Sequence, residues 1–250
     1  MSDHFEKDYQ YHQAIAQEYD SVVVQPRTVT NNVLFNKFDH FIKPSDRMLD
    51  LACGTGHMTL RFGHKFKEVI AVDHSDAMLA QVKKKVELNK MSNVFCIKSD
   101  IFSFLESYKD ESFNFVSCTG FLHHLLPSQL LEVLKKIYKL LKTDGLILIS
   151  EPISTGVMNC PKPVQVWNQH SIAAKLFYSV EATEPDEAPL DAKNLIDLVR
   201  VVGFKISKEY RNWEIFPKNA TASFFDQVAI RALNAIYGKH GNVLTLAAFK

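Results

Sequence analysis

Leu49-Asp50-Leu51-Ala52-Cys53-Gly54-Thr55-Gly56-His57 is the stretch that decides how this chain is read. It leaves a short apolar run, Met48 to Cys53, and enters a segment of helical character. Glycines between a strand and a helix let the backbone turn sharply and let a ligand lie against main-chain N–H groups. Asp50, at the strand end, either accepts hydrogen bonds from a ligand or orders the loop. A dinucleotide site asks for G-x-G-x-x-G, and the third glycine position here is Thr59. It also needs room for a pyrophosphate at the helix N-terminus.

Four further short apolar runs follow, at residues 68–73, 93–98, 113–118 and 145–150. Bounded by turns, they read as strands of a sheet covered on both faces. Helical spacing lies between them. Ser75 is a candidate N-cap ahead of Met78, Leu79, Val82 and Val86, and Ser128 opens a helix carrying Leu130, Leu134 and Ile137. Strands alternating with helices imply a parallel sheet with right-handed crossovers. Residues 1–45 read as two helices, a cap ahead of a core at 46–151. Residues 152–190, with five prolines and several acidic residues, read as an insertion or lid. In the remaining part, 191–250, Asp191 caps a helix ended by Gly203, two more strands follow, and a helical insertion occupies 211–241.

Composition narrows the function. The chain has 250 residues, suiting one α/β domain with additions, and 29 basic against 28 acidic residues. The neutral balance disfavours nucleic acid as a partner. Cys53, Cys96, Cys118 and Cys160 form no C-x-x-C pair, so neither a zinc site nor a dithiol centre is expected, and a reducing, cytoplasmic setting fits. Residues 1–8 are polar and do not read as a signal peptide. No apolar run is long enough to span a membrane.

The run Asp50 to Gly56, placed directly after a strand, resembles the loop of the class I S-adenosylmethionine-dependent methyltransferases. That resemblance covers residues 45–151 and the rest only in outline. It implies a Rossmann-like doubly wound α/β sheet, mostly parallel with an antiparallel last strand, with helices on both faces. It also implies S-adenosylmethionine as cofactor, its methionine end held by Ala52, Gly54 and Gly56.

Asp73 ends the second strand, 19 residues after Gly54, where an acidic residue binds ribose hydroxyls; alternatively it is a turn residue. Asp100, after the third strand, takes the adenine amino group in resembling enzymes, with Ile101 on the ring; alternatively Asp100 caps the next helix. His74, Met78 and Ser99 join this cofactor set by resemblance, as do Thr119 and Gly120 after the fourth strand. Tyr19 lies in an A-x-x-Y-D segment similar to one that folds over the cofactor, and Arg27 either pairs with the cofactor carboxylate or is a surface charge.

Methyl transfer to a hydroxyl or ammonium needs a base. His123, His124 and Glu151, at strand ends, are the candidates, and histidine has a suitable pKa range. Each also has a structural alternative. Lys83-Lys84-Lys85 reads as the solvated side of a helix. No metal is expected at the site. The segment 118–125 lacks Asn-Pro-Pro-Tyr, which argues against base or glutamine-amide acceptors. The expected acceptor is a small molecule methylated on oxygen or nitrogen, with a protein or RNA acceptor, or cofactor binding without catalysis, as alternatives. A homodimer is compatible with this reading.

Overall fold

The computed structural model describes residues 3–24, 34–153, 189–212, 228, 231–232, 235 and 241–250. Its described elements, in order, begin with helix α1 (Asp3–Ile15). Then come β1 (Arg47–Leu51), α2 (His57–Phe62), β2 (Glu68–Asp73), α3 (Asp76–Leu88) and β3 (Val94–Lys98). They continue with α4 (Ile101–Ser107), β4 (Phe113–Thr119), α5 (Pro127–Leu140) and β5 (Leu141–Pro152). The last are α6 (Ala192–Val202), β6 (Lys205–Asn212) and β7 (Val243–Phe249).

The strands form one sheet in the order β3-β2-β1-β4-β5-β7-β6. β1 to β5 run parallel, whereas β7 is antiparallel to both neighbours, as the resemblance implies. Strand alternation explains the two layers of core. In β1, Leu49 and Leu51 face one side and join Ile70, Val72, Val116 and the apolar sides of α4, α5 and α6. Met48 faces the other side, with Val69, Phe115, Leu148 and Phe62 of α2. Burial of each such side chain contributes about 1.5–3 kcal/mol, which commits both faces of β1 to protein contacts.

Local signals set most boundaries. Ser75 Oγ accepts the Met78 N–H at 3.2 Å and caps α3. Asp191 Oδ1 accepts from Asn194 N at 2.7 Å and caps α6, which ends at Gly203 with φ +111°.

One expectation is corrected. α5 begins at Pro127, not Ser128. Pro at the first helical position needs no N–H, and Gln129 Oε1 accepts from Leu126 N at 2.9 Å. Within the expected N-terminal cap, the described residues begin with α1. α1 is followed by a π-helical turn (Asp20–Val24) and a 3₁₀ segment (Asn36–Phe41). The run Val22-Val23-Val24 is β-branched and a poor α-helix former. Residues 154–188 of the expected lid and nearly all of the 211–241 insertion lie outside the described residues, as does Arg27.

Candidate active site

The order of the sheet reverses between β1 and β4, which are neighbours whose connections run to opposite sides. Ligands bind outside the carboxyl ends of strands at such a point. The two strand ends carry two glycine turns. Gly54 has φ +52°, and a Cβ built there meets no heavy atom within 4 Å. Gly120, after β4, has φ +64° and equally open space. Ala52, at φ 53°, is also in the left-handed region, which costs an L-residue energy. Gly56 caps α2 at φ +86°, and a Cβ there lies 3.1 Å from Val82 Cγ1.

Carboxylates organise these turns. Asp50 is buried, and its Oδ2 accepts from Thr59 N at 2.9 Å and from Thr59 Oγ1 at 2.6 Å. Of its two expected uses, ordering the loop is the one the structure exhibits. Burial pushes its carboxyl up to about 6, with Asp73 adding repulsion and the Thr59 hydrogen bonds opposing. Asp73 Oδ2 accepts from Gly54 N at 2.8 Å and Oδ1 from Ser75 N at 2.9 Å. Each oxygen keeps a further lone pair. Asp100 Oδ1 accepts from Ser103 N at 2.9 Å, so its capping role is present. Burial opposes its charge, but the hydrogen bonds from Ser103 hold the carboxyl below its ordinary range. Ile101 lies in the core, and Ser99 Oγ bonds the Asp100 carbonyl at 2.9 Å.

After β4, Glu151 at the far end of β5 is fully buried. Its Oε1 accepts from Phe121 N and Leu122 N, both at 2.9 Å, and its Oε2 lies 2.7 Å from His123 Nδ1. Thr119 pairs with Ser150, and Gly120 N donates to the Ser150 carbonyl at 2.8 Å. These strands therefore hold His123 and Glu151 together across 28 residues of sequence.

The N-terminal segment is clasped onto the same ends. Gln13 Oε1 accepts from Ser75 Oγ and Ala77 N, each at 2.7 Å. Thr55 Oγ1 donates to Asp20 Oδ1 at 2.6 Å, and Lys85 Nζ donates to the Thr55 carbonyl at 2.8 Å while pairing with Asp20. Lys85 therefore departs from the expectation of a solvated lysine row. Met78 is buried beneath Ile15 of α1 and Ala16 just after it, and Tyr19 packs on the same cluster. His74 lies 3.9 Å from Asp73 Oδ1, and burial pulls its imidazole pKa down against the attraction of Asp73 and Asp8. Sequence reasoning missed Asp8, His12, Gln13 and Lys85. The only local signal for the first two is their spacing of four on one helix.

Known proteins similar to this chain are S-adenosylmethionine-related enzymes. Residues 48–145 match the family model described as a methyltransferase domain. A carboxy-S-adenosyl-L-methionine synthase of Nautilia profundicola is 25% identical over 223 residues, covering 84% of this chain and 93% of that protein. An uncharacterized methyltransferase of Staphylococcus carnosus is 23% identical, covering 79% of this chain and 90% of that protein. A solved S-adenosylmethionine-dependent methyltransferase from Archaeoglobus fulgidus shares the fold, with TM-score 0.62, 21% identity, and coverage of 94% of this chain and 98% of that one. Over most of its length the chain is thus similar to S-adenosylmethionine-dependent methyltransferases, and its residues 48–145 match a methyltransferase domain. It is an S-adenosylmethionine-dependent methyltransferase, with S-adenosylmethionine as its cofactor.

The residues present fit that cofactor. The open space above Gly54 and Gly120 is a cradle that a Cβ would fill. Asp50, Asp73 and Glu151 make the strand ends acidic, and Lys85 is already engaged by Asp20 and the Thr55 carbonyl. A cationic sulfonium suits such a field; the polyanionic pyrophosphate of a dinucleotide does not. Among the described residues, no helix is long and apolar enough to cross a membrane.

Proposed function

We propose that this enzyme methylates an oxygen or nitrogen of a small molecule, with His123 as the base and Glu151 as its positioning residue. The carrying observation is the 2.7 Å approach of His123 Nδ1 to Glu151 Oε2. A buried carboxylate there favours the proton on Nδ1, which leaves Nε2 with the lone pair. Two backbone N–H donors on Oε1 fix the carboxylate itself, so the ring is held by a rigid support.

S-adenosylmethionine, when bound, supplies a methyl group on a cationic sulfur that leaves as a neutral thioether. The turns at Ala52–Gly56 and Thr119–Gly120 receive it, and the remaining lone pairs of Asp73 take its ribose hydroxyls. Asp100, Ser99 and Ile101 stand at the next strand end for the adenine, with His74 and Met78 beneath and Tyr19 on the covering segment. Holding the acceptor in line and removing its proton is then the protein's task. The near-neutral charge supports a small acceptor over RNA.

The test is a panel of small acceptors with labelled methyl donor. His123→Ala should lower kcat by about 10²–10⁴, while affinity for the thioether product changes less than about twofold. Full activity of His123→Ala on the true acceptor refutes the base.

The long match to the Nautilia synthase favours a second reading, in which the enzyme carboxylates the cofactor itself. Mass spectrometry after turnover separates the two: a heavier cofactor marks carboxylation, and the demethylated thioether marks methyl transfer.

A further inference from the structure

Asp8 and His12 stand four residues apart on α1, so their side chains share one face. His124, in the 3₁₀ turn after β4, meets that face from the other side. Asp8 Oδ1 lies 2.9 Å from His124 Nδ1 and 3.2 Å from His12 Nδ1. One donor atom from each of the three residues lies within 4.8 Å of the other two. The Asp8 carboxylate is buried, at 5% exposure. Asp8 Oδ1 is a buried carboxylate oxygen that faces both imidazoles at ion-pair distance.

We propose that Asp8, His12 and His124 bind a divalent transition-metal ion of the zinc type. One carboxylate and two imidazoles are a donor set that such ions accept. Donors 2.0–2.2 Å from a tetrahedral ion stand about 3.4 Å apart, and the ligand atoms here lie within 4.8 Å of one another. Two further contacts support the site. His12 Nδ1 lies 2.9 Å from the Asp8 carbonyl, a contact that orients the ring and leaves Nε2 for the ion. His74 Nε2 lies 3.7 Å from Asp8 Oδ2 and steadies the outer oxygen.

Ligands from α1 and from the turn after β4 give the ion a role as a clamp. Filling the site ties the N-terminal helix to the turn that carries His123. The sequence offers no hint of this, because 112 positions separate His12 from His124. The inference does not depend on His123 acting as a base, since metal binding is measured with no acceptor present.

The experiment uses the full chain without an affinity tag, stripped with chelator and dialysed. Zinc is titrated by calorimetry and cobalt by visible absorption. The expected result is one ion per chain, with cobalt bands of a low-symmetry site. Asp8→Asn, His12→Ala and His124→Ala should each weaken binding at least tenfold, and His40→Ala, at an exposed position outside the cluster, should leave it unchanged. Circular dichroism checks that each variant is folded, and any variant that fails this check is set aside in favour of the others. Absence of saturable binding to the wild type overturns the proposal. So does undiminished affinity in a folded His12→Ala or Asp8→Asn chain.

Discussion

The backbone N–H of Gly54 donates to Asp73 Oδ2 at 2.8 Å, joining the end of β2 to the glycine turn after β1. One carboxylate thereby shapes the loop and stands where the ribose is proposed to bind. Asp73→Ala removes both functions. Hydrogen bonds to charged groups contribute about 1.5–3 kcal/mol, so affinity for the cofactor or its thioether product should fall at least tenfold. Calorimetry that finds the same affinity in wild type and variant refutes the ribose assignment.

Gly54 and Gly56 separate binding from folding. Both have positive φ, which costs an alanine about 1–2 kcal/mol. Only at Gly56 does the new Cβ press on Val82, at 3.1 Å from Cγ1. Gly56→Ala should therefore lower Tm more than Gly54→Ala. Gly54→Ala, whose Cβ enters the open cradle, should lose more cofactor affinity per degree of Tm. Thermal melts paired with calorimetry on both variants check this ordering.

Asp50 gives a pH dependence of unusual sign. Burial raises its folded-state pKa to about 6, from an ordinary 3.8. Between those values the folded protein keeps a proton that the unfolded chain has released. Its contribution to stability is thus full below about pH 4 and is lost as pH rises through 6. The swing is at most about 3 kcal/mol at 1.36 kcal/mol per pKa unit. Asp50→Asn keeps an acceptor for Thr59 and removes the titration. The Tm of the wild type should fall relative to this variant between pH 4.5 and 7, taken as about that window. A rise over the same range contradicts the assignment.

Lys85 holds the π-helical turn to the glycine loop through Asp20 and the Thr55 carbonyl. The pair is partly exposed, so its direct contribution to stability is about 0–1 kcal/mol. Lys85→Met should leave Tm nearly unchanged while the amides of residues 20–24 exchange hydrogen several-fold faster. Equal protection in both proteins shows that the clasp does not restrain the turn.

Much of the fold is legible because its signals are local. Short apolar runs mark β1 to β5, and Ser75, Asp191 and Gly203 mark helix ends through bonds within a few residues. A missed detail has a local physical cause too. Pro127 takes the helix start from Ser128 because it needs no donor. The acidic strand ends and the open turns were also readable, since spacing along a strand–turn–helix unit fixes them.

By itself the sequence determined the alternating α/β layers, the glycine turn after the first strand and the carboxylate closing the second, because each depends on neighbours in the chain. Only the tertiary structure decided that Glu151 supports His123, that Lys85 grips Asp20, and that Asp8 and His12 meet His124. Those groups come together through strand order and helix docking, and buried charges take their partners from whatever the packing brings near, not from the residues beside them in the chain.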